Sequence, residues 1–205
     1  MSHPVILYEP EKSMLEFTPK EVGRYLGYGN NAIPDNELQL INRGIEQVRE
    51  IMTGKACYSK FPVSFLSGDK IQLPYGIVKS KHLTRNLIGC SEIYIFAATI
   101  GTEFDRLLQR TRVRSLAEAV TIQACGAAAV EGVCNSLNET LRLEMQKEGR
   151  ALRPRYSPGF GDYTLDNQKG IFALIEPART IGLTLMDSLT MAPEKSVTAI
   201  IGIEE

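Results

Sequence analysis

Histidine and paired cysteine are scarce in this 205-residue sequence, and their scarcity excludes several kinds of chemistry. His3 and His82 are the only histidines, so the sequence offers few residues for a histidine-based metal site or a Ser-His-Asp triad. No C-x-x-C pair occurs, and the cysteine spacing suggests neither a zinc cluster nor a disulfide framework. We therefore expect small buried thiols in a reducing compartment at Cys57, Cys90, Cys125 and Cys134.

A surplus of one charge and a long apolar run are also lacking. Lys+Arg 23 against Asp+Glu 24 gives a net charge of -1, so the broad positive field that attracts nucleic acid is missing. Glu9 and Glu11 precede any apolar run long enough for a signal peptide, and the uncharged stretch 119–130 is too short to span a bilayer. We expect a cytoplasmic protein with no nucleic-acid or membrane partner.

Common catalytic motifs are missing as well. The sequence contains no G-x-S-x-G, no H-E-x-x-H and no P-loop, which removes the commoner hydrolase and nucleotide-cleaving functions. The segment 27–32, Gly-Tyr-Gly-Asn-Asn-Ala, matches a loose dinucleotide fingerprint but follows a predicted helix, so we interpret it as a helix stop. We assign no catalytic residue and no metal ligand from the sequence.

The remaining pattern is that of one globular domain over residues 1–205, with 43% hydrophobic and 23% charged residues. Thr18, Pro19 and Glu21 predict a capping box at a helix start, and Asp35 is a candidate cap for an amphipathic helix that ends at Gly54. Further elements follow from apolar periodicity: short strands and turns with a plausible hairpin over 57–78, a helix from Ser80, a central strand over 93–98, a helix from Thr102, and a long core helix over 115–147.

The densest cluster of unusual residues is the segment 153–163, Arg-Pro-Arg-Tyr-Ser-Pro-Gly-Phe-Gly-Asp-Tyr. Its prolines and glycines fix the backbone path and expose N–H and C=O groups that suit the edge of a purine, while Arg155 suits a carboxylate. Carboxylate plus purine describes several metabolites, S-adenosylmethionine among them. The alternative is an ordinary Pro/Gly turn between the long helix and the next element.

At this segment the sequence resembles the activation (reactivation) domain of cobalamin-dependent methionine synthase, in particular its free-standing single-domain relatives. The matching pattern is Arg155-x-Ser157-Pro158-Gly159-Phe160-Gly161-Asp162, followed by Leu165 and Gln168. A second match runs through the segment 181–202, which contains Ile-Gly-Leu-Thr-Leu and Lys-Ser-Val-Thr-Ala-Ile-Ile-Gly. Together the two matches cover most of the last third of the chain; the first two thirds match weakly.

The resemblance implies an α+β domain, with a twisted, mainly antiparallel sheet flanked by helices, that binds S-adenosylmethionine. It also implies a role in rescuing an oxidised corrinoid: one electron from a flavodoxin-like or ferredoxin-like donor reduces cob(II)alamin, and S-adenosylmethionine methylates it. The chain lacks the corrinoid-binding D-x-H-x-x-G signature. Cobalamin would therefore be carried by a separate corrinoid-binding methyltransferase chain, and this chain would act in trans.

Carried over by residue, the resemblance implies that Arg155 holds the methionyl carboxylate and that the backbone at Ser157, Gly159 and Phe160 contacts the rest of the ligand. From charge, we add Tyr156, Asp162 and Tyr163 as candidates that face the sulfonium or ammonium. Full-length methionine synthases usually have tyrosine where Phe160 stands, and the acidic residue that they supply from an early segment has no match here.

Two other functions stay open at this point. One is a non-catalytic ligand-sensing or corrinoid-protein interaction module that keeps the fold without methylation. The other is a small-molecule methyltransferase, which the absence of an early strand-loop-helix glycine motif disfavours.

Overall fold

A computed structural model describes residues 3–205. Nine strands and seven α-helices follow one another in the described residues, with one 3₁₀ turn at Lys12–Met14. In chain order the elements are β1 (Ile6–Tyr8), α1 (Pro19–Tyr25), α2 (Asp35–Ile51), β2 (Lys55–Pro62), β3 (Ser64–Leu66), β4 (Lys70–Leu73), β5 (Gly76–Lys79), α3 (Lys81–Leu87), β6 (Cys90–Thr99), α4 (Thr102–Arg114), α5 (Leu116–Lys147), α6 (Asn167–Ile175), α7 (Pro177–Thr180), β7 (Thr184–Leu185), β8 (Met191–Ala192) and β9 (Ser196–Glu204).

The central sheet has the strand order β1-β2-β6-β9, and every neighbouring pair in it is antiparallel. A three-stranded meander, β3-β4-β5, and a small β7-β8 pair complete the strands. The predicted α+β fold with antiparallel strands and flanking helices is therefore confirmed. The segment 57–78 is only partly a hairpin: its first residues belong to β2, whose main partner β6 lies some distance along the chain.

Both faces of the central sheet are buried. Because alternate residues of a strand point to opposite faces, one strand contributes side chains to two cores. In β6, Tyr94, Phe96 and Ala98 join the core formed with α1, α2, α4 and α5. Their neighbours Ile93 and Ile95 join a second core, formed with α3, α6 and the meander. The sheet thus lies between a helical layer and a mixed layer, which explains why β6 is almost continuously apolar.

The long helix α5 forms the centre of the helical layer, as its apolar face predicts. Gly126 allows the close approach of α4, because a Cβ at this position would lie 2.2 Å from Cζ of Phe104. By length and composition alone α5 could cross a membrane, but 61% of its most apolar window is buried inside the domain. Burial in the core therefore accounts for its apolar character.

Helix starts follow the sequence signals closely. Thr18 and Glu21 form the predicted capping box of α1: the Thr18 backbone N–H donates to Glu21 at 2.7 Å, and the Glu21 N–H donates to the Thr18 hydroxyl at 3.3 Å. Ser80 caps α3. Asp35 differs from expectation, since it is the first residue of α2, Pro34 precedes it, and no side chain caps that end.

The four cysteines are free and buried. Burial raises the pKa of the thiols of Cys57, Cys125 and Cys134 to about 12. Thiols with pKa values this high remain protonated at neutral pH and are poor nucleophiles. The expected role as small buried side chains agrees with this environment.

Candidate functional site

The loop that the sequence singled out begins as an extra strand-like segment at the edge of the central sheet. After α5 the chain runs antiparallel to β9, with bridges from Leu152 to Ile203 and from Tyr156 to Ile200. The Tyr156 N–H donates to the Ile200 carbonyl at 2.8 Å, and the Ile200 N–H donates back at 2.9 Å. The strand-like pairing sends neighbouring side chains to opposite sides, so Tyr156 packs on the second core and Arg155 turns toward α5.

Arg155 is held by two side chains on one face of α5. Its guanidinium donates to Oδ1 of Asn135 at 2.9 Å and forms an ion pair with Glu131. Glu131 and Asn135 are four residues apart and therefore lie next to each other on the helix. All three side chains are partly exposed, with 25% of the Arg155 and 36% of the Glu131 side chain accessible. The guanidinium is thus fixed in orientation while still reachable from solvent.

A groove of about 340 Å³ opens beside this ion pair, between α1 and α5. Its lining residues are Glu21, Arg24, Tyr25, Ala128, Glu131 and Asn135. We call it the Arg155 groove because Arg155 is bonded to two of these residues, Glu131 and Asn135, although Arg155 itself is not part of the lining. Burial raises the pKa of the Tyr25 phenol, the charge of Glu131 raises it further, and the charge of Arg155 lowers it. The phenol, the carboxylate and the guanidinium therefore act on one another electrostatically within a single site.

Next to the Arg155 groove, and sharing Tyr25 with it as a lining residue, lies an apolar groove of about 440 Å³. Half of its lining consists of small or apolar side chains from α5, and Arg112 and Lys195 add positive charge. The full lining is Tyr25, Leu26, Arg112, Leu116, Ala119, Val120, Gln123, Ala124, Ala127 and Lys195. The apolar groove is lined by α5 residues between 116 and 127 and the Arg155 groove by α5 residues between 128 and 135, so the two grooves lie one after the other along this helix.

The tip of the loop satisfies part of its own backbone. The Gly159 N–H donates to the Tyr163 carbonyl at 2.7 Å, and the Phe160 N–H donates to the Ser157 carbonyl at 3.2 Å. These two N–H groups, expected from the resemblance to face a ligand, are therefore engaged within the loop. Phe160 is 61% exposed, and its ring forms a T-shaped pair with that of Tyr156 at 6.2 Å between centroids.

Asp162 has a different role from the cation contact that its charge suggested. Its carboxylate accepts hydrogen bonds from the Ser80 hydroxyl at 2.5 Å and from the N–H groups of Lys81 at 2.7 Å and His82 at 3.1 Å. The two backbone N–H groups are orphan donors at the start of α3. The Ser80 hydrogen bond, followed by the two backbone bonds and the nearby His82, lowers the pKa of Asp162 to about 2. Asp162 thus caps α3 and fastens the loop to it.

Tyr163 also differs from expectation, because its side chain is completely buried. Its hydroxyl and that of Tyr75 form a hydrogen bond of 2.5 Å. Burial raises the pKa of Tyr163 and raises that of Tyr75 to about 12, so both phenols are neutral at ordinary pH. A side chain enclosed in this way is an anchor of the loop and presents nothing to a ligand at the surface.

The sequence analysis missed Glu131, Asn135 and Tyr25. A signal for Glu131 was present, because it is the only charged residue between Ala119 and Asn138 in a helix otherwise made of small, apolar and neutral polar residues. A single carboxylate in such a helix, with Asn135 one turn later, marks a polar stripe on the core helix. Tyr25 carries no comparable signal, because its position depends on how α1 packs across α5. Among residues 3–205, no cluster of three or more potential metal ligands occurs.

Comparison with known proteins supports the fold. A solved structure described as the crystal structure of the MetH reactivation domain bound to AdoHcy is similar over 98% of this chain and 78% of its own, with a TM-score of 0.70 and 16% sequence identity. No protein-family model and no curated protein sequence matches this chain. At this identity the similarity establishes a reactivation-domain fold.

Proposed function

We propose that this chain is an S-adenosylmethionine-binding reactivation module that acts on a corrinoid carried by a separate methyltransferase chain. One observation carries the proposal: Glu131 lines the Arg155 groove and forms an ion pair with Arg155, so that a carboxylate and a guanidinium lie side by side at the edge of the groove. The methionyl part of the ligand is a zwitterion with a carboxylate next to an ammonium. The pair of charges on the protein is therefore complementary to the pair on the ligand.

The groove suits a ligand of this size and charge. Its volume of about 340 Å³ falls within the roughly 300–1,000 Å³ typical of small-molecule sites. Among the described residues, the guanidinium donates to Glu131 and Asn135, and these two bonds use two of its five N–H donors. The aromatic ring of Tyr25 offers a favourable face to a sulfonium cation, and Ala128 leaves room beside it.

The ligand's carboxylate competes with Glu131 for Arg155. Binding replaces part of an existing ion pair, so the net gain in free energy is smaller than that of a new charge-assisted contact. Glu131 and Glu21 are then the candidates for the ligand's amino group. We propose that the exposed ring of Phe160 and the loop backbone near Ser157 and Gly159 contact the adenosyl part, through groups other than the two N–H donors already engaged.

When bound, S-adenosylmethionine supplies a methyl group on a positively charged sulfur. This chain contributes binding and orientation. Because it holds the ligand in a fixed position, the methyl group is already oriented when the corrinoid of the partner chain reaches it. Among the described residues, the groove offers no cysteine or histidine that would accept the methyl group. We propose that the corrinoid and the electron come from other chains: a corrinoid-binding methyltransferase and a flavodoxin-like or ferredoxin-like donor.

The test is isothermal titration calorimetry with S-adenosylhomocysteine, followed by S-adenosylmethionine. Arg155→Ala is expected to weaken binding severalfold: a hydrogen bond to a charged group contributes roughly 1.5–3 kcal/mol, which is about tenfold or more, and the displaced ion pair with Glu131 subtracts part of this gain. Arg106→Ala is the matched control, because Arg106 also forms an ion pair but lies on the exposed side of α4. Absence of binding by the intact chain, with or without a corrinoid partner, contradicts the proposal.

The internal bonds of Arg155 also favour a second candidate, a non-catalytic sensing or interaction module. In that case the ion pair with Glu131 is a permanent structural contact, and the chain associates with a corrinoid protein without donating a methyl group. The absorption spectrum of the corrinoid under reducing conditions separates the two. Formation of methylcobalamin that depends on this chain and on S-adenosylmethionine excludes the second candidate.

A further inference from the structure

The sharp corner between α4 and α5 exposes an unusual amount of apolar surface. Ser115 ends α4 and caps α5, and the side chains around it point away from the core. Val113 is 89% exposed, Leu116 75% and Val120 53%. Single exposed apolar residues are ordinary, but a group of three on adjacent turns is typical of an interaction surface. We call these three residues the corner patch.

The corner patch borders a concave surface. Leu116 and Val120 line the apolar groove of about 440 Å³, whose floor is made of Ala119, Ala124 and Ala127. A protruding rim beside a recess lined with small side chains suits a partner that inserts an apolar side chain. A flat bilayer surface has no such projection and would leave the recess unfilled.

Most of the charge beside the corner patch is positive, although α5 also carries the exposed Glu118, and Glu194 pairs with Lys195. The last two turns of α4 contribute Arg110, Arg112 and Arg114, all exposed. Within residues 3–205, none of the three forms an ion pair, whereas Arg106, one turn earlier, pairs with Glu103. A second copy of this chain related by a two-fold axis would bring these arginines against one another. The charge therefore favours a partner with an acidic surface.

Tyr25 connects the apolar groove to the Arg155 groove, because it lines both. A protein seated on the corner patch would lie directly beside a ligand bound at Arg155. Under the function proposed above, the chain that receives the methyl group must approach this ligand, while the electron donor acts at another moment and has no need to cover it. The geometry thus favours the methyl acceptor as the occupant.

We infer that the corner patch and the apolar groove are the docking surface for the corrinoid-carrying chain, which presents an acidic rim and an apolar side chain to them. This inference rests on the proposed function, since it takes its partner from there. Leu116 supplies apolar contact at the mouth of the groove, and Arg112 supplies charge at its rim.

The test uses this 205-residue chain and the cobalamin-loaded methyltransferase of the same organism in a binding titration. Leu116→Asp and Arg112→Glu are each expected to lower the affinity by about tenfold or more, as central contacts at interfaces do. Leu143→Asp is the matched control: it changes an exposed leucine on the same helix, 48% accessible and far along α5 from the corner. It should change the affinity less than about twofold. Raising the salt concentration should weaken binding of the unaltered chain more than that of Arg112→Glu.

Titration of each variant with S-adenosylhomocysteine separates this inference from the proposed function. If the ligand fails to bind the unaltered chain, the proposed function fails. If the ligand binds but Leu116→Asp and Leu143→Asp bind the methyltransferase equally well, or if no complex forms, the docking surface is wrong. It is also wrong if light scattering shows a dimer that Leu116→Asp dissociates, or if the corner binds vesicles of anionic lipid instead.

Discussion

The two ends of the 155–163 loop use their polar groups in opposite ways. At the far end, Asp162 and Tyr163 are matched by Ser80, the start of α3 and Tyr75, all far away in sequence. At the near end, Arg155 has partners on α5 but lies beside a groove and stays partly exposed. The far end therefore anchors the loop, and the near end is available for binding. Changes at the first should alter stability, and changes at the second should alter affinity.

The largest expected effect on the free energy of unfolding is at Tyr163. If changes there left stability unaltered, the far end of the loop would not be an anchor. Tyr163→Ala removes a completely buried aromatic side chain, and large-to-small changes of this kind cost about 3–5 kcal/mol in the free energy of unfolding. Tyr163→Phe is the matched variant, since it removes only the hydroxyl that bonds Tyr75; it should cost about 1–3 kcal/mol if Tyr75 is left unpaired. Urea denaturation followed by circular dichroism measures both. Equal, negligible losses would show that this end of the loop is not an anchor.

Gly161 should show the second-largest effect, because its backbone and its surroundings both exclude a side chain. Its φ of 56° lies in the left-handed region, and a Cβ would be 2.3 Å from Nδ1 of His82 and 2.7 Å from the Tyr156 hydroxyl. Gly161→Ala is expected to lower the free energy of unfolding by about 1–2 kcal/mol from the backbone alone, with the displacement of His82 added to it. The control is Gly68→Ala, also at positive φ but in open space. A smaller loss at Gly161 than at Gly68 would contradict the packing described here.

These elements differ in how far the sequence could predict them. The caps at Thr18 and Ser80, the helix α5 and the strand β6 follow from periodicity and capping signals that act over a few residues. The pairing of β2 with β6 and the use of Asp162 as a cap on α3 depend on contacts between distant residues. A local pattern holds no information on such partners. It predicts the short strands and turns over 57–78, where β3, β4 and β5 form hairpins, but not the pairing of β2 with β6.

The same reasoning explains the mixed outcome at the site. The residue types in the loop predict a backbone fixed by proline and glycine beside a guanidinium, but they cannot tell an outward carboxylate from one that caps a helix. Asp162 and Glu131 are both acidic, and only the packing of α3 and α5 gives the first a structural role and the second a place at the groove. The resemblance points to Arg155 as a candidate ligand-binding residue. It gives no indication of Glu131, the partner of Arg155 on α5, which lies 24 positions away in the sequence.

The anchoring role of Asp162 predicts a pH dependence. Its folded-state pKa of about 2 is lower than the unfolded value of about 3.9. The unfolded chain therefore binds the proton more readily, and the contribution to stability is complete above about pH 5 and is lost progressively as the pH falls through 4 toward 2. Asp162→Asn should lower the thermal midpoint at pH 7, and the difference from the unaltered chain should shrink below pH 4. A difference that stays constant from pH 7 to pH 2 would show that the charge of Asp162 is not what fastens the loop to α3.

Substitution of Phe160 should have the smallest effect on stability. It tests whether the loop tip affects ligand affinity without affecting stability. Its side chain is 61% exposed, so Phe160→Ala is expected to change the free energy of unfolding by about 0.5 kcal/mol or less. Stacking on an adenosyl group would nevertheless lower the affinity for S-adenosylhomocysteine by severalfold, since an aromatic contact is worth about 0.5–1.5 kcal/mol. Phe160→Tyr keeps the ring and should leave the affinity within about twofold of the unaltered chain. If Phe160→Ala binds the ligand unchanged, the loop tip makes no contact, and ligand binding would depend on the groove between α1 and α5.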